Sequence, residues 1–183
     1  TGCGGSGTSS SSSTSTLNLG ITDSPGDGAQ KVWIQFTGVE VKPTDGSPVD
    51  FAFSPAEGFD LLTLSGGTAA TFLNGATVPA GMYQWVRLMI DPTPGSSYII
   101  DAQGNQHNLI IPSGAESGLK LIQGFTMPAG GVANFTVDFV LSKSILAPPG
   151  QAPDYMLKPV LRLVDNAQVG TLTGEGKFPD VGP

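Results

Sequence analysis

The stretch VANFTVDFVL, residues 132–141, decides the fold of this chain. Its apolar residues Phe135, Val137 and Phe139 alternate with polar residues, which is the two-residue period of a β-strand with one buried face. The same alternation occurs in LNLGI, residues 17–21, and in VWIQF, residues 32–36. These stretches predict strands that each contribute one apolar face to a common core.

Glycine and proline punctuate the whole chain, with 26 Gly and 15 Pro among 183 residues. Because both residues break helices and favour turns, we expect short strands joined by turns. About nine or ten strands at a spacing of roughly ten residues indicate an all-β fold, a two-sheet antiparallel β-sandwich of immunoglobulin-like or prealbumin-like type with an extended N-terminal arm. The predicted division is a Gly/Ser/Thr-rich tether or arm at 1–16, the sandwich at 17–166 and a Gly-rich extension at 167–183.

The charge balance restricts the possible partners. The net charge is -7, and only eight Lys and Arg residues are present. Binding to nucleic acid or to an anionic membrane surface needs a dense basic surface, so both are predicted to be absent. No apolar run approaches the roughly 20 residues of a spanning helix, so any membrane attachment is expected to be covalent.

The single cysteine, Cys3, lies in TGCGGS and is followed by the serine run at 9–13. This arrangement resembles the end of a bacterial lipoprotein signal, which predicts that Cys3 carries a lipid and that the upstream signal has been removed. Cleavage of that kind would leave Cys3 as the first residue, whereas the chain starts at Thr1. A free thiol and an intermolecular disulfide are the alternatives, because an exported chain with one cysteine has no internal partner.

Residues 82–90 predict a central strand, since both of its faces are largely apolar. Tyr83 and Trp85 would then share a face, and burial in the core is the favoured prediction for both. The alternative is an aromatic platform for a sugar, to which Trp33 and Tyr98 would also contribute.

Candidate catalytic and metal-binding residues are few. His107 is the only histidine and stands in a predicted hairpin with no nucleophile elbow, so we expect no catalytic residues, no enzymatic activity and no cofactor. One His and one Cys cannot supply the usual zinc ligands. Calcium is the remaining metal candidate, with oxygen ligands from Asp23 and Asp27 or from Asp101 and Asn105, although such residues more often cap their own turns.

Four stretches, in this order and at this spacing, carry a family resemblance: LNLGITDSP at 17–25, PAGMYQWVRL at 79–88, SGLKL at 117–121 and PDYMLKP at 153–159. Together they resemble domain-of-unknown-function family 4382 of bacterial lipoproteins, over residues 16–166. The resemblance implies an exported β-sandwich domain with no established activity to carry over. Members of the family often continue into a further domain.

Two functions are consistent with these features. The first is a non-catalytic, self-associating structural protein of the cell surface, outer membrane or extracellular space, and a filament subunit is one form of it. Residues 5–22 would pair with an exposed sheet edge of the next copy in a homo-oligomer or polymer. The second is a monomeric surface lipoprotein that binds a glycan or a surface protein and attaches to the membrane only through a lipid on Cys3.

Overall fold

The computed structural model describes residues 13–24, 28–112, 118–148 and 153–168. Thirteen strands account for most of this part of the chain: β1 (Thr14–Ser24), β2 (Ala29–Pro43), β3 (Val49–Asp60), β4 (Ala70–Pro79), β5 (Gly81–Ile90), β6 (Tyr98–Asp101), β7 (Gln106–Ile110), β8 (Leu119–Leu121), β9 (Phe125–Met127), β10 (Val132–Val140), β11 (Ile145–Leu146), β12 (Tyr155–Leu157) and β13 (Leu161–Asp165). One helical turn, α1 (Leu141–Ser144), and two 3-10 turns at Leu61–Leu64 and Asn166–Gln168 complete it. No helix among the described residues is long and apolar enough to cross a membrane.

The strands form two sheets, which confirms the predicted all-β sandwich. The smaller sheet has the order β13-β10-β1-β4. The larger sheet has the order β11-β12-β7-β6-β2-β5-β8, with β3 also paired to β2 and β9 to β5. Most pairs are antiparallel as predicted, but β1 runs parallel to β10 and β12 runs parallel to β7, so both sheets are mixed.

The core lies between the two sheets and is built from alternate residues of the long strands. The most deeply buried of these, each at most 1% exposed, are Leu17, Leu19, Ile21, Val32, Ile34, Phe36, Val39, Val41, Val78, Leu88, Val137 and Phe139. The alternation in the sequence therefore arises because each strand turns one face inward and the other toward solvent.

The long strand β2 keeps its apolar face inward on both sides of a bulge at Gly38. The pairing of β2 with both β3 and β5 shifts between Phe36 and Gly38. A Cβ atom on Gly38 would lie 2.5 Å from the carbonyl oxygen of Phe51, so only glycine fits this close approach. The sequence predicts a bulge at Gly38, because the alternation of apolar residues resumes out of phase after it, and the structure confirms this bulge.

The sequence predicts one last strand over residues 157–164, but in the structure this stretch is interrupted. Tyr155–Leu157 pairs with β7 in the larger sheet, whereas Leu161–Asp165 pairs with β10 in the smaller one. Pro159 lies between them and has no N–H to donate to a ladder. The chain crosses from one sheet to the other at this proline.

Candidate functional site

The N-terminal strand β1 occupies the middle of the smaller sheet, between β10 and β4. Leu19 is opposite Phe135 of β10 and opposite Leu73 of β4, and all three side chains are in the core. β1 is therefore needed to join β10 and β13 on one side to β4 on the other.

Polar side chains on the outer face of β1 fix its register. Asn18 donates from Nδ2 to Oδ1 of Asn134 on β10 at 2.8 Å. Its own Oδ1 accepts from the backbone N–H of Gly75 at 2.7 Å. A slip of β1 along either neighbour would break one of these bonds and would also turn the apolar residues outward.

The outer strand β13 of the same sheet has its free edge hydrogen-bonded at Leu163 by the side chain of Gln123. Gln123 donates from Nε2 to the carbonyl oxygen of Leu163 at 2.8 Å and accepts at Oε1 from the Leu163 N–H at 3.1 Å. These are the two bonds that a neighbouring strand would supply. The edge of β13 is thus satisfied at its centre, which discourages the addition of a further strand there.

The outer face of the larger sheet carries basic and aromatic side chains along the length of β2 and on its neighbours. We call this surface the cationic face, and it consists of Lys31, Lys42, Arg87 and Lys120 with Trp33, Trp85 and Tyr98. Trp85 is only 8% exposed, as its predicted burial requires, but it lies outside the contiguous apolar cluster between the sheets. The Arg87 guanidinium lies 4.7 Å from its ring centre and the Lys120 amine lies 4.3 Å from it. Two cations therefore cover this indole on the outside of the sandwich.

A bulge at Gln84 separates Trp85 from Tyr83. The pairing of β5 with β2 shifts between Lys42, opposite Trp85, and Pro43, opposite Tyr83. Tyr83 consequently points into the core, as predicted. There its ring stacks on Phe125, with the ring centres 4.9 Å apart. The prediction that Trp85 shares that face was wrong, because the extra residue reverses the side on which it emerges.

Trp33 and Tyr98 form a flat aromatic pair on the cationic face. Their ring centres are 6.3 Å apart and their planes differ by 20°. The Trp33 ring rests on Gly58 of β3, where a Cβ atom would come within 2.1 Å of Cζ2. The amine of Lys31 lies 5.0 Å from the Trp33 ring centre. The pair is half-buried, so part of its surface stays in contact with solvent.

A charged row crosses the same face from strand to strand. Glu40 of β2 is opposite Asp50 of β3 and Arg87 of β5, and Arg87 is opposite Lys120 of β8. Glu40 Oε2 and Arg87 Nη1 are 2.8 Å apart. Glu40 is largely buried and is neutralised by this pairing.

His107 is held by two acceptors. Its Nδ1 lies 2.8 Å from the carbonyl oxygen of Pro153 and its Nε2 lies 2.9 Å from Oδ2 of Asp101. Both acceptors require a proton on the nitrogen, so the arrangement favours the doubly protonated ring. The Asp101 hydrogen bond, with a contribution from Asp154, raises the pKa of His107 above 6.5, and the pKa of Asp101 is lowered to about 2.

We expect this ion pair to stabilise the attachment of β12 to β7 in a pH-dependent manner. The pKa of His107 is higher in the folded state, so its contribution is complete below about pH 6.5 and is lost as pH rises through the folded pKa. The pKa of Asp101 is lower in the folded state, so its contribution is lost only as pH falls through about 2. The wild type should therefore melt about 1 to 3 °C above His107→Gln at pH 5 to 6, and the difference should shrink toward pH 9. A difference that does not vary with pH would show that the histidine acts only by packing against Tyr155.

The calcium candidates lie at separate places in the fold. Asp23 is buried at the end of β1, and its Oδ1 accepts from the N–H of Leu141 at 3.2 Å. Asp101 accepts from the N–H groups of Gln103 and Asn105 and from the Asn105 side chain, at 2.8 to 3.1 Å. Asp101 therefore caps its own hairpin turn.

Calcium binding at Asp101 and Asn105 stays a prediction, and the ion would have to displace these bonds. Over 13–24, 28–112, 118–148 and 153–168, no group of three or more His, Cys, Asp or Glu side chains is placed to hold a metal. Asp27 and Cys3 lie outside the described residues.

Two roles of side chains could not be predicted from the sequence. Gln123 follows the short strand β8, and its bonds to Leu163 join positions 40 residues apart. Arg87 and Lys120 were not recognised as the cover of Trp85, because Lys120 comes from β8 and Trp85 was expected to point into the core together with Tyr83. The alternation within 82–90 carries no signal for the bulge at Gln84.

Comparison with known proteins gives one result. A family model described as "Domain of unknown function (DUF4382)" matches residues 14–159. No curated protein and no solved structure matches the chain. The matched segment begins with β1 and ends just after β12.

Proposed function

We propose that this chain, which belongs to the DUF4382 family of domains of unknown function, is a non-catalytic structural protein of a bacterial cell surface that associates with copies of itself by exchanging β1. A filament subunit is the form of assembly that open-ended exchange would give. The observation that carries the proposal is the position of β1, which is central in its sheet and pairs with β10 on one side and β4 on the other.

Exchange of β1 requires no new contact surface. Among the described strands, β1 pairs with β10 and β4, so the bonds that break when it leaves its own sheet are those that it forms again in a neighbour. The site between β10 and β4 is the same in every copy, and β1 of a neighbour would regain every bond and apolar contact there. Exchange that does not close on itself propagates from copy to copy, as in other head-to-tail assemblies.

The surroundings of β1 favour exchange over addition to an open edge. Thr14–Ser24 is already paired on both sides within its own sheet, so it is not available as a free arm. The edge of β13 is bonded by Gln123 at Leu163. The position between β10 and β4 is selective, because Asn18 bonds to both neighbours and the core accepts Leu17, Leu19 and Ile21.

The two hydrogen bonds of the His107 ring support a non-catalytic role. Both of its ring nitrogens face Pro153 or Asp101, so neither is directed at a nucleophile among the described residues. A general base needs a ring nitrogen within hydrogen-bond reach of the group that it activates.

Disulfide trapping tests the exchange. One chain carries Asn18→Cys and a second, tagged chain carries Asn134→Cys, both with Cys3→Ser, and the two are co-expressed and oxidised. Because these side chains are in contact at 2.8 Å in register, an exchanged pair should give a mixed disulfide on a non-reducing gel.

The control replaces Asn134→Cys by Thr136→Cys, which is opposite Gly20 and thus two residues out of register. It should yield much less mixed disulfide. A monomer that forms the 18–134 bond only when both cysteines are in one chain would refute the exchange.

The second candidate function is a binding module, and a specific observation favours it. The cationic face combines cations with partly exposed aromatic rings on an open sheet. A face of this composition suits recognition of an extended ligand whether or not β1 is exchanged.

A further inference from the structure

We propose that the cationic face binds an acidic polysaccharide, in which carboxylates meet Lys42 and Lys120 while sugar rings pack on Trp33 and Tyr98. This inference does not depend on the exchange of β1. The two are separable, because the cationic face lies on the larger sheet and β1 lies in the smaller one.

Charge complementarity identifies the ligand as an anion. The chain has a net charge of -7, yet four of its eight basic residues are on this one face. Arg87 is paired with Glu40, but Lys31, Lys42 and Lys120 have no carboxylate partner within the part of the chain that the structure describes. The face therefore attracts anions, whereas the molecule as a whole repels them.

The aromatic pair identifies the ligand as one with flat, apolar surfaces. The rings of Trp33 and Tyr98 are stacked with nearly parallel planes, and the Trp33 ring also rests on Gly58. The C–H groups of a pyranose ring are weakly positive and pack against the negative face of an aromatic ring. Lys31 lies over the Trp33 ring and can meet a carboxylate on the same sugar.

The arrangement of charges suits a polymer better than a small molecule. Arg87 and Lys120 are neighbours across β5 and β8, and Lys42 is opposite Trp85, so the cations continue across adjacent strands. Lys42 lies nine residues along β2 from Trp33, a distance of about 30 Å at roughly 3.3 Å per residue, so only an elongated ligand reaches both the lysines and the aromatic pair. An open face offers many weak contacts in place of one enclosing pocket.

The same observations disfavour two other anions. Nucleic acid binding depends on neutralising many closely spaced phosphates, and three unpaired lysines on a chain of net charge -7 are few for that purpose. An acidic protein would supply carboxylates but no sugar rings for the aromatic pair. A carboxylated sugar polymer uses both parts of the face.

Binding to immobilised polygalacturonate, measured by biolayer interferometry with the full chain at low salt, tests the inference. The double variant Lys42→Gln/Lys120→Gln should lose on the order of tenfold in affinity. The matched control Lys143→Gln/Lys158→Gln makes the same charge change at exposed lysines elsewhere and should bind as the wild type does. Binding should also weaken as salt rises.

Several outcomes would overturn the inference. Equal loss in the two double variants would mean that only net charge matters. Equal binding to neutral dextran would remove the role of the carboxylates, and binding to dextran sulfate without polygalacturonate would exclude a carboxylated ligand. Preference for a single-stranded oligothymidylate would assign the face to nucleic acid. Unchanged melting temperatures of both double variants serve as the check that the fold is retained.

Discussion

Replacing Leu19 by alanine is expected to lower the free energy of unfolding by about 3 kcal/mol. Leu19 is 1% exposed and lies between Phe135 and Leu73, so the deletion leaves a cavity where the two sheets meet. Neighbouring backbone cannot collapse into that space, because β1 is bonded on both sides. Urea unfolding of the monomeric fraction, followed by tryptophan fluorescence, measures the change.

The matched control for Leu19→Ala is Thr16→Ala on the same strand. Thr16 lies on the outward face and is half-exposed, so its truncation should cost no more than about 0.5 kcal/mol. Similar losses at both positions would mean that β1 contributes its backbone to the sheet but no side chains to the core.

Gly118→Ala is expected to destabilise the protein by about 2 to 3 kcal/mol. Gly118 has a φ of +61°, a conformation that costs an alanine roughly 1 kcal/mol or more. In addition, a Cβ atom would lie 2.5 Å from the carbonyl oxygen of Leu88, so β8 would have to move away from β5. Thermal unfolding by circular dichroism should show the loss as a lower midpoint.

Gly130→Ala separates the two causes. Gly130 has a similar φ of +66°, but a Cβ atom there would have no neighbour within 4 Å. Its substitution should therefore cost only the conformational part, about 1 kcal/mol. If both glycine variants lost the same amount, the close approach to Leu88 would have no energetic consequence.

The strands could be predicted from the sequence because each long strand buries one face and exposes the other. That physical cause leaves a local trace, the alternation of Leu17, Leu19 and Ile21 or of Val137 and Phe139. The hairpin at Asp45 and Gly46 was also predictable, since short turns demand particular residues.

The sheet to which each strand belongs, and the side of the sheet to which some side chains point, could not be predicted. Both depend on contacts between residues that are far apart in the chain. The parallel pairing of β1 with β10 joins Asn18 to Asn134, 116 residues away. The bulge at Gln84 depends on how β5 fits β2. For the candidate site, the aromatic residues were identifiable from the sequence. The cations that cover Trp85 were not. Lys120 comes from β8, and the face that Trp85 shares with Arg87 was expected to point into the core.

The separation between β1 and β10 has a kinetic consequence. During folding, β1 must wait for β10, which pairs with one of its two sides, and closing so long a loop is slow. Until then Leu17, Leu19 and Ile21 remain uncovered, and the unfinished sheet can accept the same segment from any chain nearby. The local concentration of partly folded chains would then decide whether each chain completes its own sheet or that of a neighbour.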